Sequence, residues 1–326
     1  MTSDDDERWE DAKSSEAESQ AQIDTWELER QRKVKEAISE FPDEPDQIDA
    51  IAKIRGWSGP DGYSSFYTSI QDHLNGKANL NETVDKITGP IDAMINANKL
   101  DDIPWESLWN STIHSAKRIP FSAPKAHLAL TELVIAIKRH KAPVDTQSEL
   151  YSSLPYLGIS SREAMNDSPG GGAGFSIPEV HAYANLQYFF ALLTRGQVRA
   201  YWLYSVWVMR DALENELTDD GPNATHGPTT AFQKYDAYVP AASMWIFGVG
   251  EALYEHEADL TPTSPNQGNP GKGGKFWEGK AEISKARWAL WKKRFHEVTK
   301  LEGIRDETRQ LAEEAYSLMG NIDGHA

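Results

Sequence analysis

The chain has 326 residues, 39% of them apolar, and a formal charge of -17 with no cysteine. It is long enough for one large domain or two small ones, and thiol catalysis, thiolate metal sites and disulfides are excluded. The acidic surface repels phosphate backbones, which argues against a nucleic-acid partner. No apolar run reaches the roughly 18 residues that span a bilayer, so no membrane segment is expected. The missing cysteines and an acidic N-terminus unlike a secretory signal point to a reducing, cytoplasmic setting.

Residues 1–22 are rich in Asp, Glu, Ser and Gln, the composition of a disordered, solvating tail. A stripe at Ile23, Trp26, Val34 and Ile38 predicts an amphipathic helix that stops at Phe41-Pro42. Short helices follow over 46–54 and 63–74, then one over 80–99 that Gly89-Pro90 should interrupt. Asp102 and Pro104 predict a helix start with Trp105, Leu108 and Trp109 inward. Ser122 caps the next helix, which Pro143 ends. Residues 151–175 read as irregular, with a glycine run from Gly170 to Gly174 suited to a hinge. The sequence divides here into an N-terminal helical part (23–150) and a C-terminal helical core (151–326), packed as one globular unit.

Ser176 and Glu179 then form a capping box. Two antiparallel helices, 177–194 and 197–217, make the most apolar and aromatic stretch of the chain. A third buried helix covers 239–257, where Ala241, Gly248 and Ala252 at helical spacing allow a close neighbour. Helices from Ser284 and over 307–319 complete an all-α, multi-helix array with no sheet.

The motifs Asn185 with Ala191-Leu192-Leu193-Thr194, Trp207 with Arg210 and Glu214, Gly250-Glu251-Ala252-Leu253, and Arg287-Trp288 with Trp291 and Phe295 form an ordered set. With Leu154-Pro155-Tyr156 and Arg162-Glu163 they resemble the fungal domain-of-unknown-function 3632 family, over roughly 150–319. The resemblance implies a helical fungal protein with no settled activity and a hint of metabolism, since members can lie near biosynthetic genes. It carries over no catalytic residue.

No Glu-x-x-His pair, His-Glu-x-x-His zinc motif, P-loop or nucleophile elbow occurs, so no metal or cofactor is expected. Asp101-Asp102 and Asp219-Asp220 lack the third carboxylate of a magnesium-diphosphate site. The lysines and glycines of 271–275 suit a solvated loop or a lid over an anionic ligand. What remains is charge inside apolar helices, which must be paired because an unpaired buried charge costs several kcal/mol.

Glu251 is therefore expected to meet Arg210 or Arg287 across helices, with Asn185 nearby, either as a structural ion pair or as the floor of a pocket. Tyr201, Tyr204, Trp207, Glu214 and Trp245 would line that pocket. Glu251, Arg210 and His181 would be its acid–base groups, His181 having the alternative of a hydrogen-bonded core histidine. Two functions fit. One is binding of an apolar or aromatic small molecule, with cofactor-free isomerisation, cyclisation or dehydration. The other is a non-enzymatic interaction or scaffold protein, a homodimer or an adaptor.

Overall fold

The computed structural model describes residues 25–59, 64–221, 228–264, 266 and 268–324; the acidic tail expected over 1–22 lies outside them. Helix α1 covers 25–40. It is followed by α2 (Glu44–Arg55), α3 (Ser65–Leu74), α4 (Leu80–Asn96), α5 (Trp105–Arg118) and α6 (Pro124–Arg139). Next come α7 (Leu150–Ser153), α8 (Leu157–Met165), α9 (Ile177–Arg195), α10 (Trp202–Met209), α11 (Ala231–Glu255), α12 (Lys285–Val298) and α13 (Asp306–Gly324). The class is all-α. Its departures among the described residues are a two-residue antiparallel pair, β1 (Ala258–Asp259) with β2 (Glu282–Ile283), and an isolated bridge between Pro169 and Ala173.

The centre is α9. From Pro178 to Thr194 every residue but His181 is buried, as a helix apolar all round requires. It packs against α11, α5, α6 and α2, and α11 packs in turn against α13. The main apolar cluster runs from Phe66 through Trp109, Phe189, Phe190 and Trp245 to Met319. A smaller one, with Val34, Ile48, Ile51, Trp57 and Ala182, seats α1 and α2.

Several elements differ from the sequence expectation for local reasons. Pro90 does not interrupt α4. Gly89 and Pro90 face solvent, where water can satisfy the carbonyl that the missing N–H leaves free. Asp102 ends a 3₁₀ turn, Pro104 is the N-cap of α5, and Ala123 rather than Ser122 is that of α6. The stretch 151–175 contains α7 and α8 instead of being irregular throughout. Helix α11 begins eight residues earlier than expected, because Thr230 and Gln233 form a capping box. The helix expected over 197–217 starts only at Trp202, since 196–201 is held as a turn. Lys138 there donates to the carbonyls of Gln197 and Val198, and the Thr194 hydroxyl accepts the Tyr201 N–H at 3.2 Å.

Gly248 explains how α9 and α11 come so close. A Cβ at Gly248 would lie 2.5 Å from the Ala191 Cβ, well inside contact distance. Gly248→Val is expected to destabilise the protein by about 1–3 kcal/mol through overpacking. Gly320→Ala on α13, where a Cβ meets nothing within 4 Å, should be neutral or gain up to about 1 kcal/mol. Urea unfolding followed by circular dichroism checks both; equal effects would contradict the packing argument.

Candidate functional site

Helix α10 does not end in an ordinary α-turn. Residues Arg210–Glu214 form a π-helical segment, closed by the Asn215 N–H on the Arg210 carbonyl at 2.9 Å. Single π-turns are rare and recur at functional sites. This one buries Ala212, Leu213 and Glu214 in succession and leaves Asp211 at the surface.

The Glu214 side chain is 0% exposed and so is that of Arg287. Arg287 Nε donates to Glu214 Oε1 at 2.7 Å and Nη2 to Oε2 at 2.9 Å. Trp291 Nε1 adds a bond to Oε1 at 2.6 Å, and the Gly274 N–H one to Oε2 at 3.0 Å. Arg287 Nη1 also donates to the carbonyls of Gly271 and Glu282. Each carboxylate oxygen accepts two bonds, so the buried pair is fully matched and has no capacity left for a ligand.

The expected pairing with Glu251 is therefore corrected. Arg287 reaches Glu214, and Glu251 is exposed, with no ion pair among the described residues. Helix α11 leaves helical geometry at Val249 (φ -147°, ψ 16°), which rotates the following residues and turns Glu251 and Ala252 to solvent. Arg210 is held at the surface. Its Nη1 donates to the carbonyls of Pro270 and Lys272, and Trp207 Nε1 also bonds Pro270. Asn185 is buried elsewhere, clamping the end of α5 by donating to the Lys117 carbonyl at 2.8 Å and accepting from Phe121 N–H at 2.7 Å.

The aromatic residues expected to line the pocket are engaged with one another and with the core. Tyr201 is buried, and its hydroxyl pairs with that of Ser161. Trp245 is fully buried and donates to Gln187 Oε1 at 3.1 Å. Tyr204 and Trp207 stack on one another, 5.2 Å between ring centroids, and stay half-buried.

His181 lies between helices. Its Nδ1 is 2.8 Å from a Glu44 oxygen on α2 and its Nε2 3.0 Å from a Glu307 oxygen on α13, while the Phe121 ring meets it edge-on. Two carboxylate acceptors require both ring nitrogens to donate, which makes the ring an imidazolium. Burial pushes its pKa down, but the two carboxylates outweigh it and raise it to about 9. Glu307 is lowered, first by its hydrogen bond to His181.

Two further buried cations were not singled out from the sequence. Arg55 lies between Glu27 (2.6 Å) and Glu179 (2.7 Å). Glu179 also accepts from the N–H groups of Gly174 and Ser176 and from the Ser176 hydroxyl. Lys117 meets Asp167 at 2.5 Å with the Trp57 ring 4.5 Å away. Burial pushes Lys117 down and Asp167 up. Both groups tie the glycine loop 170–174 to the helices, because Trp57 Nε1 donates to the Gly172 carbonyl at 2.8 Å.

The clefts sort by what their walls can still bond. One of about 380 Å³ runs beside Arg55, Glu179 and Gly174, where the cation is already matched by two carboxylates. A larger one, about 600 Å³, is lined by Asp211, Asn215, Glu216, Lys234, Tyr238 and Lys275. It opens directly on the π-turn. Lys275, one residue beyond the Gly274 that bonds Glu214, forms one wall and pairs with Glu216. Lys234 forms another and pairs with Asp220.

Asp211 is matched more loosely. Its nearest cation, Arg210 Nε at 3.7 Å, sits on a side chain already bonded to two backbone carbonyls. Asn215 donates to Asp211 Oδ1 at 3.3 Å. The walls strip water from Asp211 and raise its pKa, Arg210 opposes the shift, and Glu214 behind it adds to it. The side chain nevertheless stays 46% accessible, so the acid can be reached. Tyr238 is pushed up to about 12, by burial and then by Asp211 and Asp220, and its hydroxyl donates to the Pro169 carbonyl at 3.0 Å.

Of these lining residues Lys275 belongs to the glycine–lysine loop and Asp211, Asn215 and Glu216 to the helix expected over 197–217, and none was named as a site residue. Asp219 and Asp220 serve structure, accepting from the Ala231 N–H and from Lys234. Among the described residues no three His, Asp or Glu side chains are placed to hold a metal ion, and no helix is long and apolar enough to cross a membrane.

A family model described as "Protein of unknown function (DUF3632)" matches residues 109–295, more than half the chain. The matched stretch starts inside α5, ahead of the division expected at 150–151, and holds the π-turn, the Glu214–Arg287 pair and every residue lining the Asp211 cleft. No curated protein and no solved structure matches the chain.

Two outcomes follow for stability. Arg287→Ala should cost about 3–5 kcal/mol by leaving Glu214 buried and unpaired, whereas Glu251→Ala should stay within about 0.5 kcal/mol; urea midpoints decide, and equal costs would contradict the assignment. For His181 the folded pKa of about 9 lies above the ordinary histidine value of 6.5. Its stabilisation is complete below pH 6.5 and is lost as pH rises through 9. The stability gap between wild type and His181→Phe should therefore narrow from pH 6 to pH 10. A gap independent of pH would mean that the ring is not charged in the fold.

Proposed function

The chain belongs to the DUF3632 family, whose description names no activity, and we propose from geometry that it binds a small molecule in the Asp211 cleft. The observation behind this reading is an accessible carboxyl of raised pKa on a rare π-turn beside an open cleft, its one nearby cation, Arg210 at 3.7 Å, being shared with two backbone carbonyls. Asp211 is the proton donor or acceptor of the site, and Tyr238 fixes the ligand beside it. Such a pair suits steps that need placement and proton transfer alone, namely isomerisation, cyclisation or dehydration. The polar lining calls for a polar ligand, in place of the apolar one the aromatic stretch suggests. A metabolic role in the cytoplasm of a fungus fits this reading.

The scaffold alternative has one observation in its favour. Tyr156, the N-cap of helix α8, and Ile159 within it point outward, 55% and 62% exposed, beside exposed Arg162 and Arg199. A homodimer built on that face would appear in light scattering and dissociate on Ile159→Asp.

Asp211→Asn tests the main reading. A carboxyl whose folded pKa is raised loses stability as pH rises through that pKa, so the amide should leave the melting temperature at pH 7 unchanged or higher. The same substitution should abolish ligand-dependent stabilisation in a thermal-shift screen of polar metabolites. A sharp fall in melting temperature, or ligand shifts that persist in the variant, would contradict it.

A further inference from the structure

We infer that the face formed by α8 and the turn 196–201 docks an acidic, amphipathic segment of another protein; the inference does not depend on the Asp211 cleft. Acids make up 50 of the 326 residues, yet the three stretches that meet at this face, 133–144, 150–162 and 180–210, contain none. Lys138 Nζ donates to the carbonyls of Gln197 and Val198, which joins the end of α6 to the turn. On the other side of the turn Arg199 lies across Gly158, where a Cβ would sit 2.4 Å from its Nη2. Arg162 stands on the same face of α8, one turn on from Gly158.

Lys138, Arg162, Arg195 and Arg199 have no ion pair among the described residues, and the neighbouring acid, Glu163, accepts from Asn166. Helix dipoles account for Lys138 and Arg195, which close the C-terminal ends of α6 and α9. They do not account for Arg199, which lies on the first turn of α8, the end whose dipole disfavours a cation. Burial raises the pKa of the Tyr204 hydroxyl and the charges of Arg199 and Arg162 oppose it, so both guanidinium groups stand near one half-buried ring. The apolar part of the face rests on a strained turn. Leu154 (φ 49°) and Tyr156 (φ 65°), on either side of Pro155, have left-handed backbone, which is unfavourable for bulky residues and is retained mainly where function needs it. Trp109 Nε1 donates to the Pro155 carbonyl between them. Tyr156 is thereby kept out of the core, beside exposed Ile159.

Tyrosine and arginine around an exposed apolar side chain is the composition of binding hot spots, and guanidinium forks take carboxylates through paired hydrogen bonds. The occupant is narrow. A membrane or a long nucleic acid would extend past this face and meet the remainder of a chain whose formal charge is -17, which repels it. A second copy related by a two-fold axis would set arginine against arginine. An acidic segment carrying apolar residues answers both halves of the face and stays within it.

The test uses the full chain and a fluorescent peptide in which glutamates alternate with leucine and phenylalanine, read by anisotropy. Its counterpart with glutamine for glutamate is the neutral probe. The acidic peptide should bind, more weakly as salt is raised, and the neutral one at least about tenfold more weakly. Arg162→Glu/Arg199→Glu and Ile159→Asp should each weaken binding at least about tenfold with the melting temperature unchanged. Lys86→Glu/Lys300→Glu, an equal charge change at exposed lysines elsewhere, should have little effect. No binding of the acidic peptide up to about 1 mM, or equal losses in the two charge-reversal variants, overturns the inference. So does tighter binding to phosphatidylserine-containing vesicles or to a single-stranded oligonucleotide, or a dimer in light scattering that Ile159→Asp dissociates.

Discussion

A carboxylate held away from water must have each of its lone pairs answered, and Glu214 is where this protein meets that demand. Its partners come from two places: Arg287 and Trp291 on α12, and the Gly274 amide in the segment between β1 and β2. One buried charge thus pins the π-turn, the long strap 260–281 and α12 together. The strap can approach this closely only through Gly274, where a Cβ would sit 2.6 Å from the Glu214 carbonyl carbon. The wall that Lys275 gives the cleft is a consequence of this pairing.

The same turn separates two acids by environment. Glu214 looks inward and is matched by a guanidinium at 2.7 Å, while Asp211, three residues earlier, looks into the cleft with Arg210 3.7 Å away. Two carboxylates on one turn, one structural and one reachable, allow a helical protein to present an acid at its surface without weakening its core. The remaining buried cations, Arg55 and Lys117, have the inward kind of role, tying the N-terminal helices and the glycine loop to α9.

Much of the fold was legible because α9 and α11 are apolar enough to admit no other reading, and because the Ser176–Glu179 start and Gly248 are local signals. That buried charges must be paired was also legible, and Glu214 and Arg287 were both named. Their pairing was not. An α-helical phase carried through 197–217 gives no sign of the π-turn, and one carried through α11 places Glu251 inside, whereas the break at Val249 turns it out. Asp211 was overlooked for a related reason: between Arg210 and Ala212 it reads as an ordinary surface acid, and its surroundings come from Lys234, Tyr238 and Lys275, remote in sequence.

The most direct measurement is amide hydrogen exchange at Gly274 and Phe276, whose N–H groups bond the Glu214 carboxylate and backbone carbonyl, in a Glu214→Met/Arg287→Met double variant. Replacing a buried ion pair by apolar side chains of similar size is often near neutral for stability, so the protein should stay folded. The account predicts that protection at these two amides falls at least tenfold while protection in α9 is retained. Unchanged protection at Gly274 and Phe276 in a folded double variant would show that the pair does not hold the strap against the cleft.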